Sequence, residues 1–200
     1  MGRQAPALLE LSSEGKTLIV TVVAGLVLGT VLAFVAVDGV PLTLILLQEN
    51  GAVRAGAVWQ LVTSIIVAPP NVLGFVDVAF NAIAIAWLDG FFTGVYNRRQ
   101  YFAVFLITGV AGNLLSLANG PKEVSFGASG GLFGLLAGVI SFDVVSNRSV
   151  NGALVVWFLA VFAVSSFSLP SVDWLAHLGG ALVGFGLGGL IGVRRRDDPI

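Results

Sequence analysis

Ser129 and His177, the only histidine in the chain, are the residues whose chemistry stands out first. Ser129 lies in Gly127-Ala128-Ser129-Gly130, at the head of a Gly-rich apolar run from Phe126 to Ile140. His177 lies in Ala176-His177-Leu178-Gly179-Gly180, inside a second apolar run. A serine hydroxyl is a weak nucleophile until a base takes its proton, and a neutral imidazole within hydrogen-bond reach is such a base. Glycine at 127 and 130 lets neighbouring backbone close on the hydroxyl and tolerates positive φ. Taken by itself, Ser129 is more simply read as a helix N-cap bonding an amide two or three residues on. Gly-X-Ser-Gly alone is a weak motif. The lone histidine is what favours nucleophile over cap.

The elements that must position these residues are membrane spans. The chain has 200 residues, 56% of them hydrophobic and only 10% charged, and its mean hydropathy is +0.97. Soluble domains carry about 25% charged residues. The formal net charge of -1 gives no footing for nucleic acid, and the absence of cysteine removes disulfides and thiolate metal sites. No cofactor or metal is expected. The first sixteen residues are mixed and polar. The apolar run after them exceeds the roughly 7–15 residues of a signal-peptide core, so no cleavable signal is expected.

Six spans follow in order. Thr17 to Val37 carries no charge and is long enough to cross about 30 Å of hydrocarbon. Asp38 to Pro70 is broken by Pro41, Gln48-Glu49-Asn50-Gly51, Arg54 and Pro69-Pro70, and reads as a long amphipathic loop in the interface, with Trp59 as an anchor. Asn71 to Val95 is a second span holding Asp77, Asn81 and Asp89. After a turn at Asn97 to Gln100, spans are expected over Tyr101–Ala118, Gly127–Val144, Val150–Leu169 and Trp174–Val193. The domain reading is a tail over 1–16, a membrane domain over 17–193 and a tail over 194–200.

Six spans place both ends on one side. The side holding the ends carries Arg3, Lys16, Arg98, Arg99, Arg148 and Arg194 to Arg196, against Arg54 and Lys122 on the other. The positive-inside rule then expects both termini in the cytoplasm, with the chain in the cell membrane. In that topology Ser129, His177 and Asn81 all fall in the outer half of the bilayer, from three different helices. Polar groups there are functional by default or serve interhelical hydrogen bonds worth about 0.6 kcal/mol; for Asn81 both readings stand. Gly130, Gly134 and Gly138, and likewise Gly180, Gly184, Gly188 and Gly192, recur every four residues. Such small-residue ridges let helix backbones touch and would bring His177 towards Ser129. Phe133, one turn after Ser129, either stacks on the imidazole or merely packs.

Leu106 to Leu115, then Gly127-Ala128-Ser129-Gly130 with Gly131-Leu132-Phe133-Gly134-Leu135, then Ala176-His177-Leu178-Gly179-Gly180 with Gly184, resemble a rhomboid intramembrane serine protease over about residues 55 to 192. The resemblance implies an all-α, six-transmembrane-helix bundle with a long interfacial first loop. It implies Ser129 as nucleophile and His177 as general base, a dyad without an acid. The Ser129 backbone amide and Asn81 would form the oxyanion hole, with Asp77 a further candidate and Phe133, Gly127, Gly130 and Gly180 as support. Substrates would be transmembrane segments of other membrane proteins, met within the lipid bilayer. This chain departs from the family where Asp77 replaces a histidine usually found four residues before the asparagine, where Gln60 follows Trp59 in place of arginine, and at Gly94, where an acidic residue is common.

Two other readings remain open: a weak or inactive relative that binds transmembrane helices, and a small transporter. A transporter would show intramembrane ion pairs or inverted repeats, and no convincing repeat is found. Asp77 shares a helix face with Asn81. An ionised carboxylate beside a developing oxyanion would oppose it, whereas a histidine would donate to it. Asp77→His is therefore expected to raise kcat on a model transmembrane substrate. Equal kcat for Asp77, Asp77→His and Asp77→Ala between pH 5 and 8 would place residue 77 outside the oxyanion site.

Overall fold

The computed structural model describes residues 11–167 and 172–197. Residues 1–10 of the expected tail, 169–171 of the expected last loop and 198–200 of the expected C-terminal tail lie outside the described residues. The chain is a helical membrane bundle. Five described helices are long and apolar enough to cross a membrane, and a shorter apolar helix joins them.

Helix α1 (Ser13–Leu32) starts earlier than the hydropathy predicts because Ser12 caps it, its hydroxyl accepting the Gly15 amide at 2.9 Å. It also ends earlier. Ala36–Val37 (β1) and Val40–Pro41 (β2) form an antiparallel hairpin around Asp38-Gly39. Both turn residues have positive φ, 51° and 82°, the conformation of a tight two-residue hairpin turn.

The expected interfacial loop is folded. It contains α2 (Leu42–Leu46), β3 (Gln48–Glu49), α3 (Asn50–Arg54) and α4 (Gln60–Thr63). Polar side chains hold it to the bundle: Asn50 Nδ2 donates to Ser116 O at 2.8 Å, and Gln48 Nε2 to Asn113 O at 2.9 Å. The Trp59 indole and the Gln60 amide both donate to Ile45 O, at 3.0 and 3.2 Å. Gln60 thus does a backbone-bonding job inside the loop while Trp59 stays half exposed. Farther on, α1 rests on the segment after α4, Gly25 against Ile66 O and Gly29 against Ala68 O.

Helix α5 (Val72–Val95) is capped by Asn71, whose Oδ1 accepts the Gly74 amide at 3.0 Å. Helix α6 (Arg98–Ser116) absorbs the expected turn at 97–100. Asn97 and Gln100 form a reciprocal capping box that starts the helix before Tyr101. A single 3₁₀ turn, Leu117–Asn119, and β4 (Val124–Ser125), paired antiparallel with β3, lead to α7 (Ser129–Phe142). A π turn at Asp143–Asn147 and a left-handed Arg148 lead to α8 (Gly152–Phe167), and α9 (Trp174–Asp197) closes the bundle. Arg194 to Arg196 are therefore the last turn of α9 rather than tail.

Helix α7 is the axis. Every residue from Gly130 to Val139 is buried. Helix α9 lies against it backbone to backbone: Gly180, Gly184 and Gly188 face the carbonyl oxygens of Gly130, Gly134 and Gly138 in turn. A methyl at any of the three would overlap that oxygen. Helix α9 also meets α6, where Gly112 touches the Ala176 carbonyl. Gly186 points into open space.

Gly184→Leu and Gly134→Leu are expected to lower Tm in detergent sharply, and Gly184→Ala to cost about 1–3 kcal/mol through overpacking. Gly186→Ala, on the same helix, is expected to melt at or above the parent because alanine favours helix by about 1 kcal/mol. Thermal melts that do not separate 184 from 186 would mean the helices do not meet through these glycines.

Candidate active site

Three local features aim Ser129. β4 is fixed to β3, the chain turns at Gly127 with φ +112°, and the Gly127 amide donates to Ser64 O at 2.8 Å. That φ lies in the left-handed region that favours glycine. A Cβ here would also lie 2.6 Å from Asp77 Oδ1. Helix α7 then begins at Ser129 itself, with Ala128 in the cap position and no side-chain cap bond. The N-cap reading of Ser129 is thus overturned. Its hydroxyl points across to α9, where Ser129 Oγ and His177 Nε2 are 2.9 Å apart.

His177 is held from several sides. Asp173 caps α9, Oδ1 accepting the Ala176 amide at 3.1 Å, and the His177 amide donates to Asp173 O at 3.4 Å. The same carboxylate takes Asn119 Nδ2 at 2.8 Å and the Ser116 hydroxyl, so the start of α9 is tied to the end of α6. The imidazole is 3% exposed. Phe133 lies against it with ring centroids 4.5 Å apart, and Phe162 approaches edge-on at 6.3 Å. The two rings are tilted by 40°, and Phe133 also packs edge-on against Phe158 and Phe162. The backbones of Gly130, next to Ser129, and Gly180, one turn after His177, touch beside the pair.

Ser129 and His177 open into a cavity of about 530 Å³ bounded by α5, α6, α7, α8 and α9. Asn81 and Asp77 line it from α5, as do Val161 and Ser165 from α8. Asn81 is buried, and Asp77 stands one turn before it on the same wall. Asn81 also borders, with Ser129, Phe133 and Trp157, a smaller apolar hollow of about 30 Å³. Beyond it the Trp87 and Trp157 rings meet at 4.6 Å, joining α5 to α8. The structure therefore gathers Ser129, His177, Asn81, Asp77, Phe133, Gly127 and Gly130 at one cavity.

Several supporting residues escape a reading for chemistry. Asp173 carries the usual sign of a cap, an aspartate directly before an apolar helix. Asp89 is fixed far from the cavity. It accepts the Ser12 amide at 2.6 Å, the Ser12 hydroxyl at 2.9 Å and the Tyr101 hydroxyl at 3.3 Å, joining α1, α5 and α6. Asn113 donates to Leu61 O at 2.9 Å and to Ser64 Oγ at 3.0 Å, steadying the residue that receives Gly127. Nothing in the spacing of such distant polar residues announces that they meet.

Comparison with known proteins agrees with this architecture. Residues 55–194 match the model of the Rhomboid domain. Over 147 residues, 70% of this chain, it is 31% identical to RHOMBOID-like protein 5 of Arabidopsis thaliana, covering 46% of that protein. It is 32% identical over 140 residues to RHOMBOID-like protein 4 of the same plant, covering 59% of this chain and 35% of the relative. It is also 32% identical over 123 residues to Rhomboid-type serine protease 2 of Emericella nidulans, covering 58% of this chain and 24% of the relative. The chain thus spans less than half the length of each of these three proteins.

Asp173→Ala removes the α9 cap and its link to Asn119 and Ser116. A lost cap costs about 0.5–2 kcal/mol, so the variant is expected to melt several degrees lower in detergent. Asp173→Asn, which keeps a capping oxygen, is expected to recover part of that loss. Identical melting of Asp173→Ala and the parent would show that α9 is not anchored through this carboxylate.

Proposed function

This chain belongs to the rhomboid family, and we propose that it is an intramembrane serine endopeptidase that cleaves transmembrane segments of other membrane proteins. The 2.9 Å approach of Ser129 Oγ to His177 Nε2, at the wall of a cavity large enough for a peptide segment, carries the reading. The serine protease name of the Emericella relative points the same way.

In this mechanism His177 Nε2 takes the hydroxyl proton as Ser129 Oγ attacks the scissile carbonyl. The charge that develops on the carbonyl oxygen is met by the Ser129 backbone amide and the Asn81 side-chain amide. The imidazolium returns its proton to the leaving amine as the C–N bond breaks, leaving an acyl-Ser129. His177 then deprotonates a water, which attacks the acyl carbon, and the imidazolium returns that proton to Ser129 Oγ as the acyl C–Oγ bond breaks. Phe133 and the Asp173 cap fix the ring so that one nitrogen serves every transfer. The cavity wall on the α5 and α8 side is the route by which a substrate helix reaches Ser129.

The arginines support an orientation in the membrane. Arg98, Arg99, Arg148 and Arg194 to Arg196 are exposed at the end of the bundle away from the Ser129–His177 pair. With positive charge retained inside, that end faces the cytoplasm of a cell membrane and the dyad lies towards the outside.

A fluorophosphonate is expected to label Ser129 of the parent protein, mapped by mass spectrometry. Ser129→Ala and His177→Ala are each expected to lose labelling and to cut a model transmembrane substrate at least about a thousandfold more slowly, while melting like the parent. A stable protein that neither labels nor cuts would instead be a binder of transmembrane helices. Proteolysis retained by either variant would remove the dyad.

A further inference from the structure

We infer that the cavity beside Ser129 contains a cation subsite, in which Asp77 receives a lysine or arginine side chain of the substrate close to the scissile bond. This rests on the protease reading, since it names what enters the same cavity.

Asp77 is a half-buried carboxyl on the cavity wall, seated against Gly127, two residues before Ser129. A carboxylate on a largely apolar wall is costly unless something pairs with it. The neutral Asn81 amide lies one turn along the same helix, on the same cavity wall. Among the described residues, no lysine or arginine lines the cavity. The other ionisable lining groups are engaged elsewhere. Asp173 is held by Ser116, Asn119 and the Ala176 amide, and His177 Nε2 faces Ser129. A cationic complement to Asp77 is thus left for the guest to supply.

The remaining walls suit a long basic side chain. Phe80, Phe126 and Phe133 line the same space, and aromatic faces attract ammonium and guanidinium groups while packing their aliphatic stems. A guanidinium brings five N–H donors and an ammonium three. A guest of that kind satisfies a carboxylate that an apolar guest would leave stranded.

Binding, rather than turnover, separates this inference from the protease reading. The full-length Ser129→Ala protein in detergent is titrated with a fluorescent transmembrane peptide in three versions. They carry Arg, Gln or Glu, placed in turn at each position within one helical turn of a central alanine. At the best position the Arg peptide is expected to bind at least about tenfold tighter than the Gln peptide, a difference of about 1.4 kcal/mol. Asp77→Asn, nearly isosteric, is expected to erase that preference, and Asp77→Lys to turn it towards Glu. Equal binding of Arg and Gln peptides at every position would overturn the subsite. So would an Arg preference that survives Asp77→Asn. Failure of the parent protein to label at Ser129 would count against the protease and leave the binding preference standing.

Discussion

The backbone contact between α7 and α9 is the constraint on which the rest depends. Three glycines of α9 face three glycine carbonyls of α7, at successive turns, with no side chain between them. In lipid there is little hydrophobic force between helices, so close packing of small residues takes its place. That contact has a chemical consequence. It holds the first turns of both helices close enough for Ser129 and His177 to share a hydrogen bond. Phe133 and Phe162 then fill the space beside the ring, and the Asp173 cap sets where α9 starts. Almost every other element serves that geometry from a distance.

The side of the site facing α5 is built differently. Helices α7 and α9 are locked together, whereas α5 and α8 are parted by the cavity and meet through Trp87 and Trp157. One bundle thus combines a closely packed half, which holds Ser129 and His177 together, with a more open half beside the cavity. The folded first loop belongs to the closely packed half. Gln48, Asn50 and Gln60 spend their amides on backbone groups, and the strand pair β3–β4 carries that order to the turn before Ser129.

Much of this was legible in the residue order. The spans follow from long apolar runs with few charges, and the α7–α9 contact from glycines spaced by four. The pairing of Ser129 with His177 follows from a lone histidine on the second glycine ridge. The span ends were less legible because hydropathy does not see caps. Ser12, Asn97 with Gln100, and Asp38-Gly39 moved three boundaries by hydrogen bonds and turn geometry alone. The first loop was the least legible part. Its order comes from amides that pair with carbonyls some sixty residues away, as Asn50 does with Ser116. Asp89 was visible as a polar residue in a span, but its partners Ser12 and Tyr101 lie on other helices.

The central claim is that the close helix contact is what makes Ser129 reactive. The direct measurement is the rate at which a fluorophosphonate acylates Ser129 in the parent and in Gly180→Ala, compared at a temperature where both are folded. A methyl at 180 meets the Gly130 backbone, one residue from the serine. The account predicts a marked fall in that rate with the fold intact. An unchanged rate, or a parent protein in which Ser129 does not react at all, would contradict it.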